Sequence, residues 1–270
     1  MGRDESYTPA MTQPSPRKTI LITGASSGLG AEMARQFADA GHALALCARR
    51  TDRLEELRAD IQAAHPGHPV SIRALDVNDH DRVFEVFGSF AEELTAEGRT
   101  LDRVIVNAGL GKGAPLGTGR FDANRETAMT NFVGALAQTE AAMEIFRAQE
   151  HGHLVMISSI SAVRGMPKSM ATYAATKAGV AHLAEGLRAE LHGSAIKVSV
   201  IYPGYIASEM NQTGPSATPP PLMASTRRGV RSMVRAIEAE RPSTAVPRVP
   251  WGPMSVLIKH APLPLFRKLV

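Results

Sequence analysis

Thr23-Gly24-Ala25-Ser26-Ser27-Gly28-Leu29-Gly30 is the stretch that most narrows what this chain can become. It follows the apolar run Lys18–Thr23 and precedes an amphipathic segment that Gly41 stops. Glycine tolerates positive φ, and with no Cβ in the way backbone N–H groups can close on an anion. A helix starting there adds partial positive charge at its N-terminus. The run therefore predicts a phosphate cradle where a first strand turns into a first helix.

The rest of the chain repeats the strand–helix theme. His42–Ala48, Val70–Leu75, Leu101–Asn107, His153–Ser158 and Ile196–Tyr202 are further strand candidates, with helical patterns such as Asp52–Ala64 between them. Short apolar runs alternating with helices predict an α/β fold: a doubly wound, Rossmann-like parallel sheet with helices on both faces. Residues 1–17 are polar and contain proline, and are expected to form a disordered lead-in to one domain, 18–270. Residues 211–270 are expected to be its elaborated end, with a substrate loop, a helix from Leu222 to Glu240 and a tail. Gly214–Pro221 cannot be regular, because three consecutive prolines remove donors and fix φ.

Composition removes several function classes. One cysteine, Cys47, excludes an intramolecular disulfide framework and fits a reducing, cytoplasmic setting. The nine histidines lack ligand spacing, so no metal is expected. A net charge of +4 does not imply nucleic acid. Arg227, Arg228, Arg231, Arg235, Arg267 and Lys268 recur late in the chain and read as a solvated helix face, with contact to anionic lipid or an acidic substrate as the minor reading. No apolar run approaches the roughly 20 residues of a membrane span.

Tyr173 and Lys177 lie four apart in the helical pattern Ala171–Arg188, so they share one face. A tyrosine with a pKa of about 10 is a poor base at neutral pH. A neighbouring ammonium would stabilise its phenolate and bring the proton within working range.

The glycine loop is spaced G-x-x-x-G-x-G, not the G-x-G-x-x-G of other dinucleotide folds. After it come Asp76-Val77, Asn107-Ala108-Gly109, Tyr173-x-x-x-Lys177 and Pro203-Gly204. In this order and at these strand ends the motifs resemble those of the short-chain dehydrogenase/reductases, from residue 18 to residue 210. The resemblance implies that Gly24, Ser26, Ser27, Gly28, Leu29 and Gly30 cradle a nicotinamide dinucleotide, with Asp76 on the adenine amino group and Val77 in backbone contact. It places Asn107, Ala108 and Gly109 along the cleft and Pro203, Gly204, Ile206 and Ser208 at the nicotinamide end. There Ile206 would offer its N–H to the carboxamide, and Ser208, in place of the usual threonine, would touch phosphate.

For catalysis the resemblance implies Ser159, Tyr173, Lys177 and Asn131: the serine on the substrate oxygen, the tyrosine carrying the proton, the lysine also on the nicotinamide ribose. Asn131 would hold a water that links the lysine to solvent. Ser159 precedes Tyr173 by 14 positions where relatives more often show 13, which leaves Ser161 as a competitor and Ser158 as a lesser one. One residue is therefore expected to be inserted near Pro167.

At the end of the second strand, beside the adenosine ribose, an acid would favour NAD(H). This chain reads Ala48-Arg49-Arg50, and guanidinium groups suit a 2′-phosphate, so NADP(H) is expected. Ser27 lacks the basic side chain that some NADP-preferring relatives place in the loop.

Asn211 to Arg235, with Leu222 and Met223, is expected to form an apolar lid, and Trp251, Leu257, Ile258, Leu263 and Phe266 to extend the pocket or meet a partner subunit or membrane surface. The expected reaction is NADPH-dependent reduction of a lipophilic ketone or aldehyde, or the reverse oxidation of an alcohol. A non-catalytic NADP(H) sensor or scaffold on the same fold is the alternative, disfavoured by the intact proton relay. A nucleotide-sugar epimerase or dehydratase would need a fuller C-terminal substrate domain. The resemblance also implies a homodimer or homotetramer.

Overall fold

The computed structural model describes residues 18–211 and 222–269. Strands β1 (Thr19–Thr23), β2 (Ala43–Ala48), β3 (Val70–Ala74), β4 (Arg103–Val106), β5 (Gly152–Ile157), β6 (Ile196–Pro203) and β7 (Ser243–Val246) form one all-parallel sheet. Their order is β3-β2-β1-β4-β5-β6-β7. Every residue of β1, β2, β4 and β5 is buried, as expected of strands covered on both faces.

Helices α1 (Gly28–Asp39), α2 (Thr51–Ala64), α3 (His80–Ala96), α4 (Phe121–Ala128), α5 (Gly134–Gln149), α6 (Met170–Glu190) and α7 (Thr226–Glu238) supply that cover. Side chains alternate across a strand, so Ile20 and Ile22 of β1 meet Phe37, Leu54 and Met233 from α1, α2 and α7. Leu21 instead joins Phe87, Phe146 and Val180 from α3, α5 and α6. The chain reverses direction across the sheet between β1 and β4, which opens a crevice at the carboxyl ends of these strands.

Three features depart from the sequence expectation. β7 is a seventh strand, four residues at the edge and flanked by Pro242 and Pro247, too short to show a period. α7 starts at Thr226 rather than Leu222, because Ala224 first bridges to Ile206. The tail folds into α8 (Arg248–His260) and α9 (Leu263–Leu269), although prolines interrupt their pattern. Arg227, Arg228, Arg231 and Arg235 of α7 are exposed, as a solvated face should be. The lead-in and Gly214–Pro221 lie outside the described residues.

The amino ends of the strands are closed by a polar network. The fully buried Arg103 of β4 donates from Nε to His153 Nδ1 of β5 at 3.0 Å and pairs with Glu238 of α7. Burial, then the charge of Arg103, pushes His153 down to about 3, so the ring is neutral. With Nδ1 accepting, its Nε2–H is left to donate to the Ser199 hydroxyl at 2.8 Å. Burial raises the Glu238 carboxyl, but the hydrogen bond from His42 and the charge of Arg103 outweigh it and bring the group to about 2.

Candidate active site

The glycine loop is packed against the end of β4 with no room to spare. Gly24 has φ 63°, and a Cβ there would stand 2.9 Å from Ala108 Cα. A Cβ on Gly30 would lie 2.4 Å from the Gly24 carbonyl oxygen. The Thr23 hydroxyl accepts the N–H groups of Asn107 and Ala108, each at 3.0 Å, and the Asn107 amide donates to the Thr23 carbonyl at 2.8 Å. These bonds fix the loop to the strand across the crevice. Gly28, at φ 56°, faces Ser208 from the far wall, its Cβ position 3.5 Å from Ser208 Cβ.

All six carboxyl ends from β1 to β6 open into one cavity of about 700 Å³. Its lining includes Ser26, Ser27, Leu29, Arg49, Asp76 and Val77 at one end, and Gly109, Pro203, Gly204 and Ile206 at the other. Three glycines without Cβ atoms, hydroxyls in the loop and a helix N-terminus make a cradle that fits a dinucleotide pyrophosphate.

Arg50 and Arg49 behave differently. Arg50 Nη2 donates to the hydroxyls of Ser27 at 2.7 Å and Ser26 at 3.3 Å, so it lies over the loop. Arg49 is mostly exposed and reaches Asp76 only at 4.0 Å. Glu209, just beyond Ser208, pairs with Arg53 at 2.6 Å and Arg50 at 3.5 Å. Those partners hold its carboxyl below the usual range, the Arg53 hydrogen bond first. Sequence reading missed Glu209, because nothing local signals a partner more than 150 positions away.

Ser159, Tyr173 and Lys177 meet in the cavity. Ser159 lies two residues beyond β5, capping a short 3-10 turn over Ile160–Val163, and accepts from the Ser161 N–H at 3.2 Å and the Ser161 hydroxyl at 2.9 Å. It is also hydrogen-bonded to Tyr173. Ser161 thus stands behind Ser159, while the Ser158 hydroxyl donates to the Lys177 carbonyl at 2.7 Å. Before α6 the chain makes a turn in which Lys168 takes φ 57° and the Ala171 N–H reaches its carbonyl at 3.2 Å.

Burial pushes Lys177 down to about 8, and its ammonium donates to the Ile157 carbonyl at 2.9 Å. Burial pushes Tyr173 up, and the Ser159 hydrogen bond offsets only part of that. The expectation of a tyrosine lowered by its lysine is therefore not what this arrangement displays. Asn131 sits in a π-type turn, Met129–Val133, between α4 and α5. Its amide accepts from the Leu110 N–H and donates to the Leu110 carbonyl, both at 2.8 Å. A Cβ on Gly109 would come within 3.1 Å of Asn131 Oδ1 and 3.4 Å of Lys177 Nζ, which explains a glycine there.

The remaining wall is apolar. Met166, Met170, Met210, Leu222, Met254 and Ile258 line it, with Trp251 stacked so closely on Gly204 that a Cβ would fall 2.2 Å from the indole. Of the tail residues expected either to extend the pocket or to meet a partner subunit or membrane surface, Trp251 and Ile258 line the pocket, Phe266 is buried outside it, and Leu257 and Leu263 face solvent.

A sequence model of the short chain dehydrogenase family matches residues 18–218. An uncharacterized oxidoreductase of Mycobacterium tuberculosis is 50% identical over 252 residues, covering 93% of this chain and 97% of that protein. Among solved structures, an alcohol dehydrogenase of Thermococcus sibiricus complexed with 5-hydroxy-NADP superposes with a TM-score of 0.75 at 23% identity, covering 85% of this chain and 96% of that one. A short-chain dehydrogenase/reductase of Burkholderia phymatum in complex with NAD gives 0.77 at 21% identity, covering 92% and 95%. At these identities the two structures establish the shared fold; one holds an NADP derivative and the other NAD. With its seven-stranded parallel sheet and the family match over residues 18–218, the chain belongs to the short-chain dehydrogenase/reductase family of oxidoreductases, whose fold binds a nicotinamide dinucleotide.

Proposed function

We propose that this oxidoreductase reduces lipophilic ketones or aldehydes with NADPH, and oxidises the corresponding alcohols in reverse. The observation that carries the reading is the meeting of Ser159, Tyr173 and Lys177 in the cavity that the glycine loop opens into. Bound NADPH would supply the hydride. Ser159 orients the substrate by donating its hydroxyl proton to the carbonyl oxygen. Tyr173 delivers a proton to that same oxygen as it becomes an alkoxide. Lys177, its charge held by the Ile157 carbonyl, stabilises the phenolate left behind. Asn131 braces the Gly109–Leu110 wall through its paired bonds to Leu110.

Net direction is set by the ratio of reduced to oxidised cofactor, and the protonation of Tyr173 is compatible with reduction. A tyrosine pushed up by burial keeps its proton at neutral pH, which suits the donor required for reduction. Preference for the 2′-phosphate is supported by Arg49 and Arg50 at the end of β2, where an acid would favour NAD(H). Glu209 draws on Arg50, so a 2′-phosphate would exchange one anion for another there. The methionine-rich wall supports a bulky apolar substrate, since unbranched thioethers adapt to irregular shapes.

The test is steady-state kinetics over a panel of ketones and aldehydes with both cofactors. NADPH should give the higher kcat/KM, and Tyr173→Phe should lower kcat by about 10²-fold or more while NADPH still binds. An NADH value equal to or above that for NADPH removes the cofactor assignment. A fully active Tyr173→Phe enzyme removes the proton-donor assignment. Tight NADPH binding with no turnover of any carbonyl compound would be the behaviour of a sensor.

A further inference from the structure

α8 has two apolar faces. Trp251, Met254 and Ile258, at helical spacing, turn inward and line the cavity. On the other face Val256 is 61% exposed and Leu257 52%. α9 continues the pattern, with Phe266 buried while Leu263 is 61% exposed and Leu265 45%. This is a built surface and not a loose tail. Arg164 donates to the Ile258 carbonyl at 3.1 Å and to that of Ala261, and its guanidinium lies 4.4 Å from the Phe266 ring centre. Large apolar side chains left on one face of a well-held element mark an interaction surface.

Charge says what covers it. Beyond Glu240 the chain has no acidic residue, yet it has Arg241, Arg248, Lys259, Arg267 and Lys268. Lys259, Arg267 and Lys268 are exposed, flank Leu257, Leu263 and Leu265 along the chain, and form no ion pair among the described residues. A second copy seated on this face in a symmetric contact would set like charges against each other. Leucines flanked by uncompensated lysine and arginine match a bilayer, where apolar side chains enter the acyl boundary and cations meet anionic headgroups.

We propose that the outer face of α8 and α9 docks on an anionic lipid surface, leaving the cavity one helix away from the bilayer. The proposal does not depend on the reaction assigned above.

The experiment is co-sedimentation of the full-length protein with vesicles of phosphatidylcholine alone or of equimolar phosphatidylcholine and phosphatidylglycerol. Binding should be about tenfold or more stronger to the anionic vesicles and should fall steeply with added salt. The double variant Leu263→Glu/Leu265→Glu should stay in the supernatant with an unchanged melting temperature. Lys259→Glu/Lys268→Glu should retain only weak binding that salt no longer alters. Wild-type protein that ignores both vesicles overturns the proposal. So does binding to anionic vesicles that the leucine variant leaves intact, which would make the face a general polyanion surface. Sedimentation velocity showing a wild-type oligomer that the leucine variant dissociates would assign the face to a second copy and overturn it equally.

Discussion

The two ends of the same parallel sheet treat polar groups in opposite ways. At the amino ends Arg103, His153, Ser199 and Glu238 bond to one another, and Arg103 has no exposed surface. At the carboxyl ends the loop glycines, Arg49 and Tyr173 open onto a cavity of about 700 Å³. The first arrangement is closed and serves the fold. The second leaves donors and charge available for a ligand, and lets burial shift the ionisation of Tyr173 and Lys177. In an open α/β sheet, ligands bind beyond the carboxyl ends because loops there are free to vary around a rigid frame.

The contrast can be broken from either side. Arg103→Met should have the largest effect, about 3 kcal/mol of lost stability, because it takes the buried cation away from Glu238 and leaves the His153 Nδ1 acceptor without a donor. Urea unfolding measures that loss, while kcat per folded molecule should stay at the wild-type value. A stable variant with impaired turnover would erase the division of labour. Arg50→Ala should do the reverse, leaving stability within about 0.5 kcal/mol. Its affinity for NADPH should fall by about 10- to 100-fold, as expected when a charge-assisted contact is lost, with NADH affected far less. Equal losses for the two cofactors would move the phosphate contact elsewhere.

The smallest effect sharpens the comparison through pH. Lys177 is held at about 8, below the ordinary 10.5, by burial. Its folded-state value is depressed, so keeping it charged below about 8 costs stability. Between about 8 and 10.5 the unfolded chain binds the proton that the folded chain has lost, and this residue favours the fold more as pH rises. Activity should move the other way. kcat/KM, which reports the free enzyme, should fall about tenfold per unit above pH 8 while the protein remains folded. A flat profile to pH 10, or a decline that tracks unfolding, would remove the charged lysine from the reaction.

Much of this was legible in the sequence. β1, β2, β4 and β5 read as apolar runs because both their faces are covered, and the observed bounds fall within two residues of those expected. The glycine loop and the Tyr173–Lys177 spacing were readable because each depends on neighbours in the chain. β7 was not, since a four-residue edge strand takes its identity from β6. α8 and α9 were hidden by prolines, and their inner face is defined only by the cavity it closes.

The sequence by itself determined the order of strands and helices, the phosphate loop and the tyrosine–lysine pair, because local periodicity and i,i+4 geometry need no distant partner. Only the tertiary structure decided which serine stands against Tyr173, since Ser158, Ser159 and Ser161 differ by whether each side chain meets the Lys177 carbonyl, Tyr173 or another serine. It also brought Glu209 to Arg50 and Arg53, and turned Leu263 and Leu265 outward while burying Phe266. Those outcomes depend on contacts between residues far apart in the chain, and on the loss of water around Tyr173 and Lys177 that folding alone imposes.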